Sequence, residues 1–250
     1  MHAQREDAAQ DVDASAPALA HPYPRITSFR SRRSSLSDRQ QETWTRRWPE
    51  LGAAARNDDG TPAAPLDARA WFGRSGPLVL EIGCGAGIST HAMAVDEPDI
   101  DVIAVEVYRK GLAQLLGAVD RDGLTNVRFV RGDGVDVLEY LLTPGSLTGI
   151  RVFFPDPWPK ARHHKRRLLQ PATVALMADR LRPGGLLHAA TDHAEYAEQI
   201  AEVGDGEPLL RRVDPDRTDL PMSVRRPETK YEARGLRMGS AITELLWERT

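Results

Sequence analysis

The 250-residue sequence predicts an α/β fold: a doubly wound, mostly parallel seven-stranded sheet with helices on both faces and an antiparallel last strand. Three observations predict it. After Pro77, short apolar runs alternate with helix-patterned stretches five times over, the order that builds a parallel sheet covered on both faces. The first run ends in a glycine turn, at the sheet edge where such folds bind ligands. The C-terminal stretch, residues 241–248, alternates enough for a final strand, pairing with 209–213 across a long insertion.

In chain order, residues 1–24 are rich in Ala, Asp, Gln and Pro and set Arg5 against Glu6, Asp7, Asp11 and Asp13, the composition of a disordered acidic tail. Residues 25–250 form a single expected domain that opens with a basic arm (25–50). Within that arm Arg25, Arg30, Arg32, Arg33, Arg39, Arg46 and Arg47 face only Asp38 and Glu42 before Trp48. Ser37 followed three residues later by Gln40 is the pattern of a reciprocal helix cap. Residues 52–77, with scattered Ala, Asp, Gly and Pro, read as a loop. The expected strands are 78–82, 102–105, 127–130, 150–154 and 186–190, and the helices between and after them 89–95, 110–119, 135–142, 172–181 and 194–203.

Composition bounds the function. At 41% hydrophobic and 28% charged residues the chain can bury a sizeable core, which excludes wholesale disorder. A net charge of −3 carries no global nucleic-acid signature, so any such partner must be read from local clusters. The single Cys84 can form neither an internal disulfide nor a cysteine pair for zinc, which fits a reducing compartment. No run approaches the roughly 18 apolar residues of a membrane span, and the start lacks the basic-then-apolar order of a secretory signal. A cytoplasmic protein with no membrane partner is expected.

The apolar run Leu78-Val79-Leu80-Glu81-Ile82 leads into Gly83-Cys84-Gly85-Ala86-Gly87. Glycines let the backbone approach a ligand closely, and the helix beyond offers free amides. The spacing is G-x-G-x-G, with Ile88 where a dinucleotide fingerprint seeks its next glycine, so S-adenosylmethionine is the better candidate. Glu81 offers a carboxylate to its cationic side, and Glu106, ending the second strand, can accept from ribose hydroxyls. A tight strand-to-helix turn alone produces the same glycines, but the strand before, the helix after and the acid ending the next strand favour the nucleoside cofactor. Asp133 follows the third strand and either meets the adenine edge or caps a turn.

Phe154-Pro155-Asp156-Pro157-Trp158-Pro159-Lys160 is the most specific segment. Three prolines prevent both strand and helix, so a rigid loop projects an acid, an indole and an ammonium beside the cofactor edge. Arg162, His163, His164, Lys165, Arg166 and Arg167 follow, a density of charge that can track a phosphate backbone. Trp158 packing under the loop and a solvated basic face are the plainer alternatives. No further ligands are predictable around His163 and His164, so no metal is expected.

These residues resemble the bacterial tRNA (guanine-N7)-methyltransferases, from Ile26 to about Trp247. The likeness rests on the basic stretch with Leu-Ser-x-x-Gln ending at Gln40, on Leu80-Glu81-Ile82-Gly83-x-Gly85-x-Gly87, on the proline loop, on Thr191-Asp192-His193 and on Thr229-Lys230-Tyr231-Glu232. It implies a Rossmann-like class I methyltransferase that transfers a methyl group from S-adenosyl-L-methionine to N7 of a guanine in the tRNA variable loop, guanine-46. It implies a cofactor site of Glu81, Gly83, Gly85, Gly87, Glu106, Asp133 and Asp156, with Asp156 also the catalytic residue. Lys160, Asp192, Thr229, Lys230, Tyr231 and Glu232 are implied at the substrate guanosine, and Arg162 to Arg167 along the RNA, with no protein partner required. Cys84 and Tyr231 depart from the residues common in the family, but no proposed functional group is lost. Two rivals stay open: an S-adenosylmethionine enzyme acting on another RNA or a small molecule, and a non-catalytic RNA-binding module that keeps the fold. Asp192 as a helix cap and the 229–232 stretch as a surface loop are the corresponding plain readings.

Overall fold

The computed structural model describes residues 35–227 and 241–250. The expected acidic tail, most of the arginines in the basic arm, and Thr229, Lys230, Tyr231 and Glu232 lie outside them.

Helix α1 (Asp38–Leu51) starts where the sequence places it: the Ser37 hydroxyl accepts from the Gln40 amide, and the Gln40 side chain accepts from the Ser37 amide. Next come β1 (Gly52–Ala54), α2 (Ala68–Phe72) and β2 (Leu78–Ile82). They are followed by α3 (Ile88–Asp96), β3 (Asp101–Glu106), α4 (Arg109–Asp122) and β4 (Val127–Arg131). The expected helix at 135–142 is a single turn, α5 (Gly134–Asp136), that widens into a π-helical turn over Val137–Leu141. β5 (Leu147–Phe153), a 3₁₀ segment (Ala161–Arg166), α6 (Pro171–Arg180), β6 (Leu181–Thr191) and α7 (Ala194–Asp205) complete the alternation. β7 (Leu210–Arg212) and β8 (Thr243–Arg249) close the chain.

The strands form one sheet in the order β1-β4-β3-β2-β5-β6-β8-β7. All ladders are parallel except those of β8, which runs antiparallel to both β6 and β7. The sheet is doubly wound, as expected, but has eight strands rather than seven. The added strand is β1, inside the region read as a loop; its three small residues carry no periodicity, and its pairing of Gly52 with Phe129 creates it. α2 was missed although its signals are local: Asp67 accepts from the Ala70 amide, and Gly73 ends the helix at φ +71°.

One face carries Leu80, Ile82, Ile103, Ile150, Val152, Leu187 and Trp247, covered by the π turn, α6 and α7. On the other, α1 and α4 cover Phe129 and Ala104 with Trp44, Leu112 and Leu116. Farther along that face Val79, Val102, Leu186 and Leu246 lie under Met222. Of the arm's arginines, Arg46 and Arg47 pair with Asp120 of α4, at 2.6 and 3.1 Å, and so fasten α1 down.

Candidate active site

The carboxyl ends of the parallel strands bring the sequence-predicted residues to one edge. Amides of Gly83 and Cys84 both donate to the Val105 carbonyl, at 2.9 and 3.1 Å, which sews the glycine turn to β3. Gly83, Gly85 and Gly87 take φ of +78°, +57° and +74°, conformations costly to residues with a Cβ. A Cβ built on Gly83 or Gly85 meets nothing within 4 Å, so the turn faces open space.

Glu106 spans the turn and the end of β3. Its Oε2 accepts from the Gly85 amide at 3.0 Å, and its Oε1 from the amides of Val107 and Tyr108 at 2.7 and 3.0 Å. The carboxylate therefore holds the loop as well as facing the edge. Glu81 is 3% exposed, and its Oε2 has no hydrogen-bond partner among the described residues. Burial pushes the Glu81 carboxyl up, with Arg151 and Thr90 pulling the other way. Burial, followed by the Glu81 and Glu106 carboxylates, drives Cys84 well above the ordinary thiol range, so it stays an uncharged filler. Asp133 accepts from the Val135 amide at 2.8 Å and caps α5 from the same edge of the sheet.

The proline loop leaves β5 beside this turn. Phe154 and Trp158 sit at φ +51° and +42°, each costing about 1–3 kcal/mol for a residue with a side chain. Fixed contacts hold them there. The Phe154 amide donates to Ala190 O at 2.8 Å, and the Arg226 guanidinium lies 5.0 Å from the Phe154 ring. Arg166 lies 5.1 Å over the Trp158 ring, and His163 meets that ring edge-on at 5.8 Å. Trp158 thus organises the basic segment. Asp156 and Lys160 are exposed on the loop.

The basic segment divides. Arg162 and Lys165 are exposed, while His163, His164 and Arg166 are half-buried. Partial burial, and then the charges of Arg166, Arg162, Lys160 and Lys165, pull His163 down toward its neutral form. Arg167 corrects the expectation: it is 3% exposed, and its guanidinium donates to Pro157 O at 2.8 Å and to Gln199 and Glu195 of α7. It fastens the proline loop to the helix and does not face a phosphate. Asp192 is exposed after β6, and it does not cap α7; His193 does, its Nδ1 accepting from the Tyr196 amide at 3.3 Å. Tyr196 is buried, which pushes its phenol up to about 12 and keeps it protonated, while its oxygen accepts from the Leu169 amide at 3.1 Å.

Sequence reading passed over Arg151, fully buried in β5, and its partner Glu97 at the end of α3. The signal was present: a lone charge inside Ile150-Arg151-Val152, where a doubly covered strand is otherwise apolar. Among the described residues no His, Cys, Asp and Glu side chains group so as to hold a metal ion, and no helix is long and apolar enough to cross a membrane.

A family model described as a putative methyltransferase matches residues 75–245. A tRNA (guanine-N(7)-)-methyltransferase of Mycobacterium sp. (strain KMS) is 70% identical over 92% of this chain and 83% of its own length. The protein of that name from Mycolicibacterium gilvum is 67% identical over 92% of this chain and 89% of its own length. The one from Mycobacterium leprae is 62% identical over 89% of this chain and 96% of its own length. With a glycine turn, two buried acids and a proline loop gathered at one sheet edge, and likeness of this extent, the chain belongs to the tRNA (guanine-N(7)-)-methyltransferase family.

Proposed function

We propose that the protein transfers the methyl group of S-adenosyl-L-methionine to N7 of a guanine in tRNA, guanine-46 of the variable loop, in the cytoplasm. The observation that carries the reading is the buried Glu81 carboxylate, with one oxygen unpartnered among the described residues, beside an open, positive-φ glycine turn. A buried acceptor without a partner fits a ligand that brings a cationic group, and an open backbone cradle fits one that packs closely.

Glu81 and the glycine turn hold the amino-acid end of the cofactor. Glu106 serves the ribose, its orientation fixed in advance by three amides, and Asp133 with the chain after β4 borders the adenine. When bound, the cofactor would supply an electrophilic methyl group for the N7 lone pair. N7 carries no proton, so no base is required and alignment dominates. Asp156, exposed on a loop kept rigid by its prolines, accepts from the guanine edge and stabilises the positive charge that moves onto the ring. Lys160 and Asp192 stand on the same edge for the guanosine. Thr229, Lys230, Tyr231 and Glu232, outside the described residues, are assigned to the guanosine by the family resemblance alone, and Arg162, His163, His164, Lys165 and Arg166 follow the RNA backbone.

The test is methyl transfer from labelled S-adenosylmethionine to unmodified tRNA transcripts, with chemical cleavage at N7-methylguanosine to map the position. Cleavage in the variable loop is expected, and Asp156→Ala should lower kcat by about a hundredfold or more with tRNA binding intact. Label elsewhere in the tRNA overturns the position, and cofactor binding with no label in any tRNA overturns the substrate.

A further inference from the structure

One row of the sheet is unlike the rest. On the face covered by α1, α4 and the 213–227 segment, the register of four parallel ladders and the antiparallel β6–β8 ladder places Phe129, Ala104, Glu81, Arg151, His188 and Leu246 side by side. Three adjacent members are polar and buried. Arg151 is 0% exposed; its Nη2 donates to Glu97 Oε2 at 2.7 Å and to Ser223 O at 3.2 Å, and Glu97 Oε1 accepts from the Ser223 amide at 2.6 Å. Nη2 is thus locked between the end of α3 and the segment lying over the sheet. The Nε and Nη1 of Arg151 have no partner among the described residues, and neither has Glu81 Oε2 one strand away.

A guanidinium is costly to bury without partners, and a carboxyl buried in the same row tends to lose its charge. Each compensates the other. We propose that Arg151 is a positioning residue for the cofactor site: anchored by Glu97 and Ser223, it keeps the neighbouring Glu81 ionised and turned to receive the cofactor's cationic end. The inference rests on the assignment of Glu81 to S-adenosylmethionine made above.

The surrounding groups are consistent with a single controlling charge. Arg151 on β5 lowers the Glu81 carboxyl against the upward push of burial. From the turn, Cys84 stays a neutral thiol; from α3, Thr90 offers a hydroxyl, and Glu97 is engaged by Arg151 and Ser223. Glu106 on β3 is tied to three amides. Beyond Arg151, burial holds His188 toward its neutral form, with Nε2 2.9 Å from Glu244 Oε2. No other cation faces Glu81 among the described residues.

The experiment is calorimetric binding of S-adenosylhomocysteine to the full chain, from about pH 5.5 to about pH 7, for the parent, Arg151→Met, Arg151→Lys and the double variant Arg151→Met/Glu81→Gln. Binding to an ionised Glu81 weakens up to tenfold per pH unit once that group protonates. Arg151→Met should move the midpoint of that decline up by about one pH unit or more. Arg151→Lys should restore the parent midpoint, and the double variant should lose the decline. Weaker binding by the same factor at every pH, with no shifted midpoint, marks Arg151 as structural only and overturns the proposal. If Arg151→Met does not fold, Arg151→Gln, polar and uncharged, carries the same comparison. A parent protein that binds no S-adenosylhomocysteine overturns the cofactor assignment itself, an outcome distinct from a parent that binds while the variants keep its midpoint.

Discussion

Two arginines five positions apart separate structure from recognition at the scale of single residues. Arg167 is buried and donates to Pro157 O, Gln199 and Glu195, whereas Arg162 is exposed and its Nε donates to Nε2 of its neighbour His163 at 3.3 Å. Removing Arg167 strands a carbonyl of the proline loop and frees that loop from α7. Arg167→Ala is therefore expected to cost about 2 kcal/mol, read as a lower urea midpoint, and to lower methyl transfer because Asp156 loses its rigid support. Arg162→Ala should leave the midpoint within about 0.5 kcal/mol of the parent and weaken tRNA binding alone. Equal stability of the two variants would contradict the division. Charge density within residues 162–167 was readable from sequence, but which of those charges the fold consumes was not, because burial of Arg167 depends on α7, nearly thirty residues onward. Asp192 teaches the same lesson: a composition rule favours Asp as a cap, and the neighbouring His193 takes the position.

At the scale of elements, the cofactor edge depends on how closely α4 approaches the glycine turn. A Cβ on Gly111 would lie 2.3 Å from Gly85 O, a backbone atom that cannot step aside without moving the turn. Alanine inside a helix is otherwise favoured over glycine by about 1 kcal/mol. The clash outweighs that gain, so Gly111→Ala should lower Tm and weaken S-adenosylhomocysteine binding together; a variant with raised Tm and unchanged binding would show that the contact yields freely. Elements with strong periodicity were legible in the sequence: β2 spans the expected residues, and the capped start of α1 forms as its Ser-x-x-Gln pattern requires. β1 was not, since three residues of Gly and Ala become a strand only through β4. The π-helical turn over Val137–Leu141 was equally hidden, because helical spacing of apolar residues does not distinguish it from an α-helix. The candidate site was legible where it follows strand ends, at Glu81, Glu106 and Asp156. Arg151 was passed over because its role depends on register with Glu81 and on Glu97, 54 positions away.

For the whole molecule, a net charge of −3 and an RNA substrate are reconciled by segregation of charge. Many surface arginines are already paired with carboxylates of the fold: Arg46 and Arg47 with Asp120, Arg56 with Asp136, Arg74 with Asp101, and Arg217 with Asp219 and Glu248. Around the proline loop, Lys160, Arg162 and Lys165 stay exposed, and Arg166 is half-buried against Trp158. Binding should therefore be governed by a small local set of cations and not by the overall charge. If Arg162, Lys165 and Arg166 each neutralise one phosphate, counterion release gives a slope of log affinity against log salt of about −2.1 to −2.7. Raising salt from about 50 to about 200 mM then weakens tRNA binding by roughly twenty- to fortyfold. The Arg162→Ala/Lys165→Ala pair should flatten the slope by about 1.5 to 2, while Arg46→Ala, whose charge is already paired with Asp120, should leave it unchanged. Filter binding of one tRNA transcript across a salt series measures all three. A slope that the double variant preserves would move the RNA contact off the proline-loop face and onto some other part of the surface.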